Sequence, residues 1–293
     1  MTAWATSNRE RPTASIVMPC YNVAATLQDQ LERLLPQIDL TGAELVLVDN
    51  NSTDDTADLL RALNERSNVT IGSATEGQSV AYARNAGVAL AQADKLLFCD
   101  ADDLVSPQWV ATMSDALTES PIVTGTLEVE SLNSDTQQTG RGSSTGPAKF
   151  YGLFPLAHGG NMGVTRDAWT SIGPLDESLG SVEDMEWSLR AKAAGHTIVK
   201  QDNGIIHYRY RQTSRDLWHQ GFLYGRYRPE IARRVNQTLG ERVPRLAGLR
   251  SWVWLAVNSP RVIDRNVRPQ LAWVAGNRIG HLVGSIRARF MVL

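Results

Sequence analysis

From Ser15 onward the chain alternates short apolar runs with amphipathic stretches, and this rhythm restricts the fold more than any other feature of the sequence. Ser15 to Cys20, Glu44 to Asp49, Val69 to Ser73 and Leu96 to Asp100 have strand length and apolar character. Between them, Ala24 to Gln37, Thr53 to Glu65 and Ser79 to Gln92 repeat their apolar residues at helical spacing. Strand, helix, strand order joins neighbouring strands in parallel, so the pattern predicts an α/β domain with a largely parallel sheet flanked by helices. A chain of 293 residues with 42% apolar content can bury the core this requires.

Further along, Asn161 to Arg166 reads as a short strand and Glu183 to Ala194 as a helix ending before Gly195. Residues 131 to 149 are polar and glycine-rich without periodicity, which predicts a long mobile loop. Residues 213 to 238 and 246 to 290 read as mainly helical, with breaks near Pro244, Pro260 and Pro269. The expected organisation is a tail over residues 1–13, the α/β domain over 14–212, and an arginine-rich helical extension over 213–293. Both cysteines, Cys20 and Cys99, close apolar runs, so reduced core thiols are expected rather than disulfides. The first residues lack an apolar secretion segment, and a cytoplasmic location follows as the expectation. Trp252 to Val257 is too short an apolar stretch to span a bilayer.

In a parallel sheet, ligands gather beyond the carboxyl ends of the strands. Three polar clusters follow strands here: Pro19-Cys-Tyr-Asn22, Asp49-Asn-Asn-Ser52 and Asp100-Ala-Asp102. The two-residue spacing of Asp100 and Asp102 can aim both carboxylates to one side of a strand end, where a divalent cation could join them to a phosphate. A solvated turn continued by Asp103 is the alternative reading.

Five segments together resemble the inverting family 2 glycosyltransferases of the GT-A fold. They are Val17-Met-Pro-Cys-Tyr-Asn22, Val48-Asp-Asn-Asn-Ser-Thr-Asp54, Ala83-Arg-Asn-Ala-Gly87, Asp100-Ala-Asp102 and Val182-Glu-Asp184. The resemblance implies a hexosyltransferase taking one sugar from a nucleotide-sugar, with UDP the leading nucleotide. It makes Asp49 the acid that accepts the imide N–H of uracil, with Pro19, Tyr21 and Asn22 shaping the same pocket. Asn50, Gly77, Arg84, Asp100 and Ala101 complete the implied nucleotide-sugar set. Asp102 becomes the principal ligand of Mg²⁺ or Mn²⁺, Asp100 a second, and His207 a third. Asp184, paired with Glu183, becomes the base that takes the acceptor hydroxyl's proton.

Each residue also has a structural reading. Asp49 with Ser52 or Thr53 can cap a helix, and Arg84 can lie on an amphipathic helix surface. Glu183 and Asp184 can complement a helix dipole behind a Ser181 cap, and His207 can be a partly buried strand residue. Arg209 and Arg211 offer partners for a diphosphate or an anionic acceptor. A sugar nucleotidyltransferase, the nearest rival enzyme, would place a glycine-rich phosphate loop after the first strand, where Met18-Pro-Cys-Tyr-Asn22 has no glycine. A noncatalytic membrane-associated protein with this fold is the third alternative. The Gln-x-x-Arg-Trp sequence of processive synthases is absent, which favours transfer of a single sugar.

Charge divides the chain. Residues 1–206 hold 13 basic and 27 acidic side chains; residues 207–293 hold 16 and 4, and all 16 are Arg. In the second part Arg242, Arg250, Arg261 and Arg265 are interleaved with Trp252, Trp254 and Trp273. Such a pattern suits the anionic inner face of a membrane bearing a lipid-linked or envelope glycan acceptor. Helices packed on the catalytic domain, or pairing two copies of the chain, are the alternatives. No recognised module accompanies the arginines, so nucleic acid is not an expected partner.

Overall fold

The computed structural model describes residues 11–133, 147–244, 246 and 248–292. The first half alternates as the periodicity requires: β1 (Ser15–Cys20), α1 (Leu27–Thr41), β2 (Glu44–Asp49), α2 (Thr56–Ala62), β3 (Val69–Ser73), α3 (Val80–Leu90) and β4 (Lys95–Cys99). Then come β5 (Leu104–Val105), α4 (Trp109–Glu119), β6 (Ile122–Glu128), the small hairpin of β7 (Lys149–Phe150) and β8 (Phe154–Pro155), and β9 (Asn161–Thr165). The chain ends with α5 (Arg166–Ile172), α6 (Glu183–Ala193), β10 (Val199–His207), α7 (Ser214–Leu239), α8 (Leu249–Asn258) and α9 (Arg268–Ala288). Most of the loop expected over residues 131–149 lies outside the described residues.

Eight strands form one sheet in the order β3-β2-β1-β4-β9-β6-β10-β5. The β3, β2, β1 and β4 neighbours pair in parallel, as do β6 and β10. The sequence pattern did not reveal that β9 runs antiparallel between β4 and β6, with Cys99 opposite Asn161. This one reversal puts the start of β9 at the same sheet edge as the carboxyl ends of β1, β2 and β4. Short β5 pairs antiparallel with β10, Leu104 opposite His207, and so draws the residues after Cys99 towards the end of β10.

Alternation along the strands supplies two apolar faces. Ile16, Met18, Leu45, Leu47 and Leu97 pack with α1 and α4, while Val17, Val46, Val48, Leu96 and Phe98 pack with α3, α5 and α6. Burying each such side chain contributes roughly 1.5–3 kcal/mol. A third cluster joins Phe150 and Phe154 of the hairpin to Ile231, Ala232 and Val235 of α7.

α1 buries Leu27, Leu31, Leu34 and Ile38 and stops at Gly42, whose φ of +69° suits a residue without Cβ. Its buried Gln30 does more than pack. The Gln30 amide donates to the Asp100 carbonyl at 3.0 Å and accepts from the Val105 N–H at 3.0 Å, clamping both ends of the Asp100–Val105 segment.

α7 and α9 pack backbone to backbone. A Cβ on Gly225 would lie 2.1 Å from the Asn277 carbonyl oxygen, and one on Gly280 would lie 2.2 Å from that of Phe222. α8 contributes no buried side chain, leaving Leu249, Val253 and Val257 exposed four residues apart on one face. No described helix is long and apolar enough to cross a membrane.

Candidate active site

Beyond the carboxyl ends of β1, β2 and β4 lies a cleft of about 910 Å³, within the size range of sites that enclose small molecules. Pro19, Tyr21, Asn22, Asn50, Arg84, Asp100, Ala101, Asp102, Glu183 and Asp184 line it together. Asp49, Gly77 and His207 do not. These chain-distant segments therefore meet in one place.

One wall is built by exchange between two loops. The Asn22 N–H donates to Ser52 Oγ at 3.1 Å, and the Thr53 N–H donates back to Asn22 Oδ1 at 2.7 Å. Asn22 takes φ +51° to make this turn. Asn50 spends its amide on the carbonyls of Ala74 and Gly77, each at 2.7 Å, and so fixes the loop after β3. Asp49 ends β2 with Oδ1 accepting the Ser52 N–H at 3.3 Å. The expected helix caps are not used: α2 starts at Thr56, where Asp54 Oδ1 accepts its N–H at 3.1 Å.

At the centre, Arg84 is not the surface residue that an amphipathic helix allows. It is 3% exposed and donates to Asp100 Oδ1 and Glu183 Oε1, both at 2.7 Å. It thereby holds Asp100 to Glu183 across the cleft centre. Burial works to discharge the guanidinium, yet Asp100 and Glu183 overcome it and hold Arg84 above its ordinary pKa. Glu183 goes the other way: burial first, then the Asp184 charge, push it up to about 8 against the pull of Arg84. Three carboxylates crowd one cation, and the most buried is the hardest to ionise.

α6 begins at Glu183 with Val182 in the cap position and no side-chain cap, so the expected Ser181 cap is not formed. Asp184 instead accepts the Met185 N–H at 2.7 Å and the Gly159 N–H at 3.1 Å. One amide donor from the helix's first turn and one from the loop before β9 thus fix the orientation of the Asp184 side chain.

Asp102 and Asp103 follow Asp100 where β5 turns towards β10. Arg211 donates to Asp102 Oδ2 at 3.1 Å, and the Arg209 N–H donates to buried Asp103 at 2.8 Å. Carboxylate oxygens of Asp100, Asp102 and Asp103 lie within 4.8 Å of one another. Burial and then the neighbouring acids raise the pKa of Asp102 and, more strongly, of Asp103. Hard oxygen donors whose mutual repulsion Arg84 and Arg211 offset only in part fit a divalent cation. His207 is outside this group: its Nδ1 lies 2.6 Å from Glu128 Oε2.

Several cleft residues escaped the sequence reading. Glycines 159 and 160 let backbone pass the ionic centre, since a Cβ at either would sit 2.5 Å from Arg84 Nη1 or Asp100 Oδ2 respectively. The Gly-Gly pair before a strand was the available signal, because paired glycines mark close backbone approach. The far wall comes from Tyr208 to Gln212 and from the Asp216, His219, Gln220, Tyr224 and Tyr227 face of α7. The boundary expected at 212/213 thus runs through the cleft wall.

Comparison with known proteins gives the family and the fold. The family model described as glycosyl transferase family 2 matches residues 15–171. The succinoglycan biosynthesis protein ExoA of Rhizobium meliloti is 27% identical over 73% of this chain and 68% of its own length. The chain spans less than two thirds of the length of further curated relatives. Among solved structures, the mannosyltransferase PcManGT of Pyrobaculum calidifontis, in complex with GDP-Man and Mn²⁺, has a TM-score of 0.69 at 16% identity, covering 94% of this chain and 87% of that one. TarS 1–349 of S. aureus, in complex with UDP-GlcNAc, has a TM-score of 0.54 at 17% identity, covering 94% and 92%.

Proposed function

This chain belongs to glycosyl transferase family 2 and is a glycosyltransferase; from that premise we propose that it moves one sugar from a nucleotide-sugar to an acceptor hydroxyl, inverting the anomeric carbon. The observation that carries this reading is the meeting of Asp100, Asp102 and Asp184 in one cleft around buried Arg84. Asp102 and Asp100 would hold Mg²⁺ or Mn²⁺. Such a cation, when bound, offsets the negative charge of the departing nucleoside diphosphate.

Asp184 takes the proton from the acceptor hydroxyl as that oxygen bonds to the anomeric carbon. On the opposite face the bond from that carbon to the phosphate oxygen breaks, and the nucleoside diphosphate leaves with the electron pair. The Gly159 N–H fixes one Asp184 oxygen, leaving the carboxylate oriented for this task. Arg84 holds Asp100 and Glu183 in place at the cleft lining. Arg211, paired with Asp102, would meet the diphosphate in this reading.

Uracil is proposed as the base on the family resemblance: Asp49, opposite Cys20 at the end of β2 though outside the cleft lining, would accept its imide N–H. His207, hydrogen-bonded to Glu128, is proposed as support for the β10 end rather than as the metal's third ligand. The acceptor is proposed to be a lipid-linked or envelope glycan, with α8 lying on the anionic inner face of a membrane. Thermal stabilisation by UDP-, GDP- and dTDP-sugars, with and without Mn²⁺, tests the donor. Stabilisation by a UDP-sugar that requires Mn²⁺ is expected; stabilisation by nucleoside triphosphates alone would replace this reading with the nucleotidyltransferase.

A further inference from the structure

We propose that Arg228, Arg278, His281 and Tyr151 form a binding site for a phosphoryl anion, between α7, α9 and the β7–β8 hairpin and separate from the donor cleft. None of the four lines that cleft. The proposal therefore stands whether or not the roles of Asp102 and Asp184 are correct.

Arg278 is 6% exposed and His281 2%, one helical turn apart on α9. Half-buried Arg228 faces them from α7, and the Tyr151 hydroxyl lies 3.4 Å from His281 Nε2. Three nitrogens here are sealed from solvent and have no hydrogen-bond partner: Nε of Arg228, Nε of Arg278 and Nδ1 of His281. Arg278 Nη2 donates to Asn277 Oδ1 at 2.5 Å, a neutral acceptor.

No carboxylate is among the main influences on Arg278 or His281. Burial comes first for both; after it Tyr151 and Arg228 act on Arg278, and Arg278 and Arg228 act on His281. Burial, then Arg278 and Arg228, drive His281 down to about 3. Two cations and a discharged imidazole thus lie together with no counter-charge among the described residues. Charges buried this way normally have partners, because an unpaired one loses its hydration for nothing.

The arrangement also cannot relax easily. Glycines 225 and 280 bring the backbones of α7 and α9 together, so the helices bearing the two arginines are held at a fixed separation. Tyr151 itself sits at φ +46°, a conformation rarely adopted by bulky residues. Two guanidinium groups, a phenol and an imidazole supply donors for several oxygens at once. Guanidinium forks match phosphate geometry, and a phosphoryl group offers more acceptor oxygens than a carboxylate.

Melting temperatures in inorganic phosphate and in chloride of equal ionic strength test the site, using wild type, Arg278→Met and Arg228→Met. Wild type should gain about 5 °C at saturating phosphate, as a ligand specific to the folded state does. Arg278→Met should melt higher than wild type in chloride, having lost an unpaired buried charge, and should gain nothing specific from phosphate. Arg228→Met changes a less buried residue and should likewise lose the gain while remaining folded. In wild type the His281 imidazole, followed by NMR, should titrate at higher pH once phosphate is bound.

A soluble dihexanoyl phosphatidic acid distinguishes the sources. A larger gain with it than with phosphate assigns a lipid-borne phosphoryl group; an equal gain assigns the free anion. Equal responses of wild type and both variants to both compounds would overturn the site. So would a lower melting temperature of Arg278→Met in chloride, since a structural counter-charge would then exist.

Discussion

Arg84 sets the charge of the cleft at the residue scale, because one buried cation faces Asp100 and Glu183 while Asp184 stands next in the chain. Glu183, pushed up from its usual 4.5 to about 8, keeps its proton in the folded protein after the unfolded chain has released it. The folded state therefore binds the extra proton between these values, and stability falls as pH rises through that window. Glu183→Gln cannot titrate and should escape this fall. Its melting temperature relative to wild type should rise by at least about 4 °C between pH 5 and pH 8. A constant difference would remove Glu183 as the proton holder. The acids were legible in the sequence because each follows a strand or opens a helix within a recognisable segment. Gly159, Gly160 and Gln30 were not, since their importance lies in what approaches them from residues far along the chain.

Elements show a different balance. The alternating first half was readable because period-two and helical patterns are local, and β1 to β4 formed close to their expected bounds. The antiparallel insertion of β9 was hidden, since pairing of Cys99 with Asn161 is a choice among distant partners that no local pattern records. The α7–α9 contact was hidden for the same reason, although its glycines recur at helical spacing. Gly280→Ala should cost about 1–3 kcal/mol by forcing Cβ into the Phe222 carbonyl. Urea denaturation measures this, and because α7 walls the cleft, kcat/KM should fall with it. α8 raises a second expectation. Replacing Val253 and Val257, both exposed, by Glu should abolish flotation with anionic vesicles while leaving turnover of a soluble acceptor intact. Failure of monodisperse wild-type protein to bind anionic or neutral vesicles would remove the membrane from the proposal and favour contact between copies of the chain.

On the scale of the whole molecule, acidic and basic ends meet at the cleft. The first 206 residues carry the excess of acids, and the arginine-rich remainder closes over them through Arg209, Arg211 and α7. Composition revealed the asymmetry but not its geometry, because a charge count does not say which arginines pair with Asp102 and Asp103. Nor did it separate those from Arg228 and Arg278, which face no acid among the described residues. The division of labour within the cleft is open to one direct measurement: calorimetric titration of UDP, with and without Mn²⁺, into wild type, Asp102→Asn and Asp184→Asn, alongside turnover. Binding should require Mn²⁺ in wild type and in Asp184→Asn, and should weaken at least about tenfold, or about 1.4 kcal/mol, in Asp102→Asn. Asp184→Asn should still lose about 10²–10⁴-fold in kcat, the range of a general base. Unaltered Mn²⁺-dependent binding by Asp102→Asn, or full turnover by Asp184→Asn, would contradict these assignments.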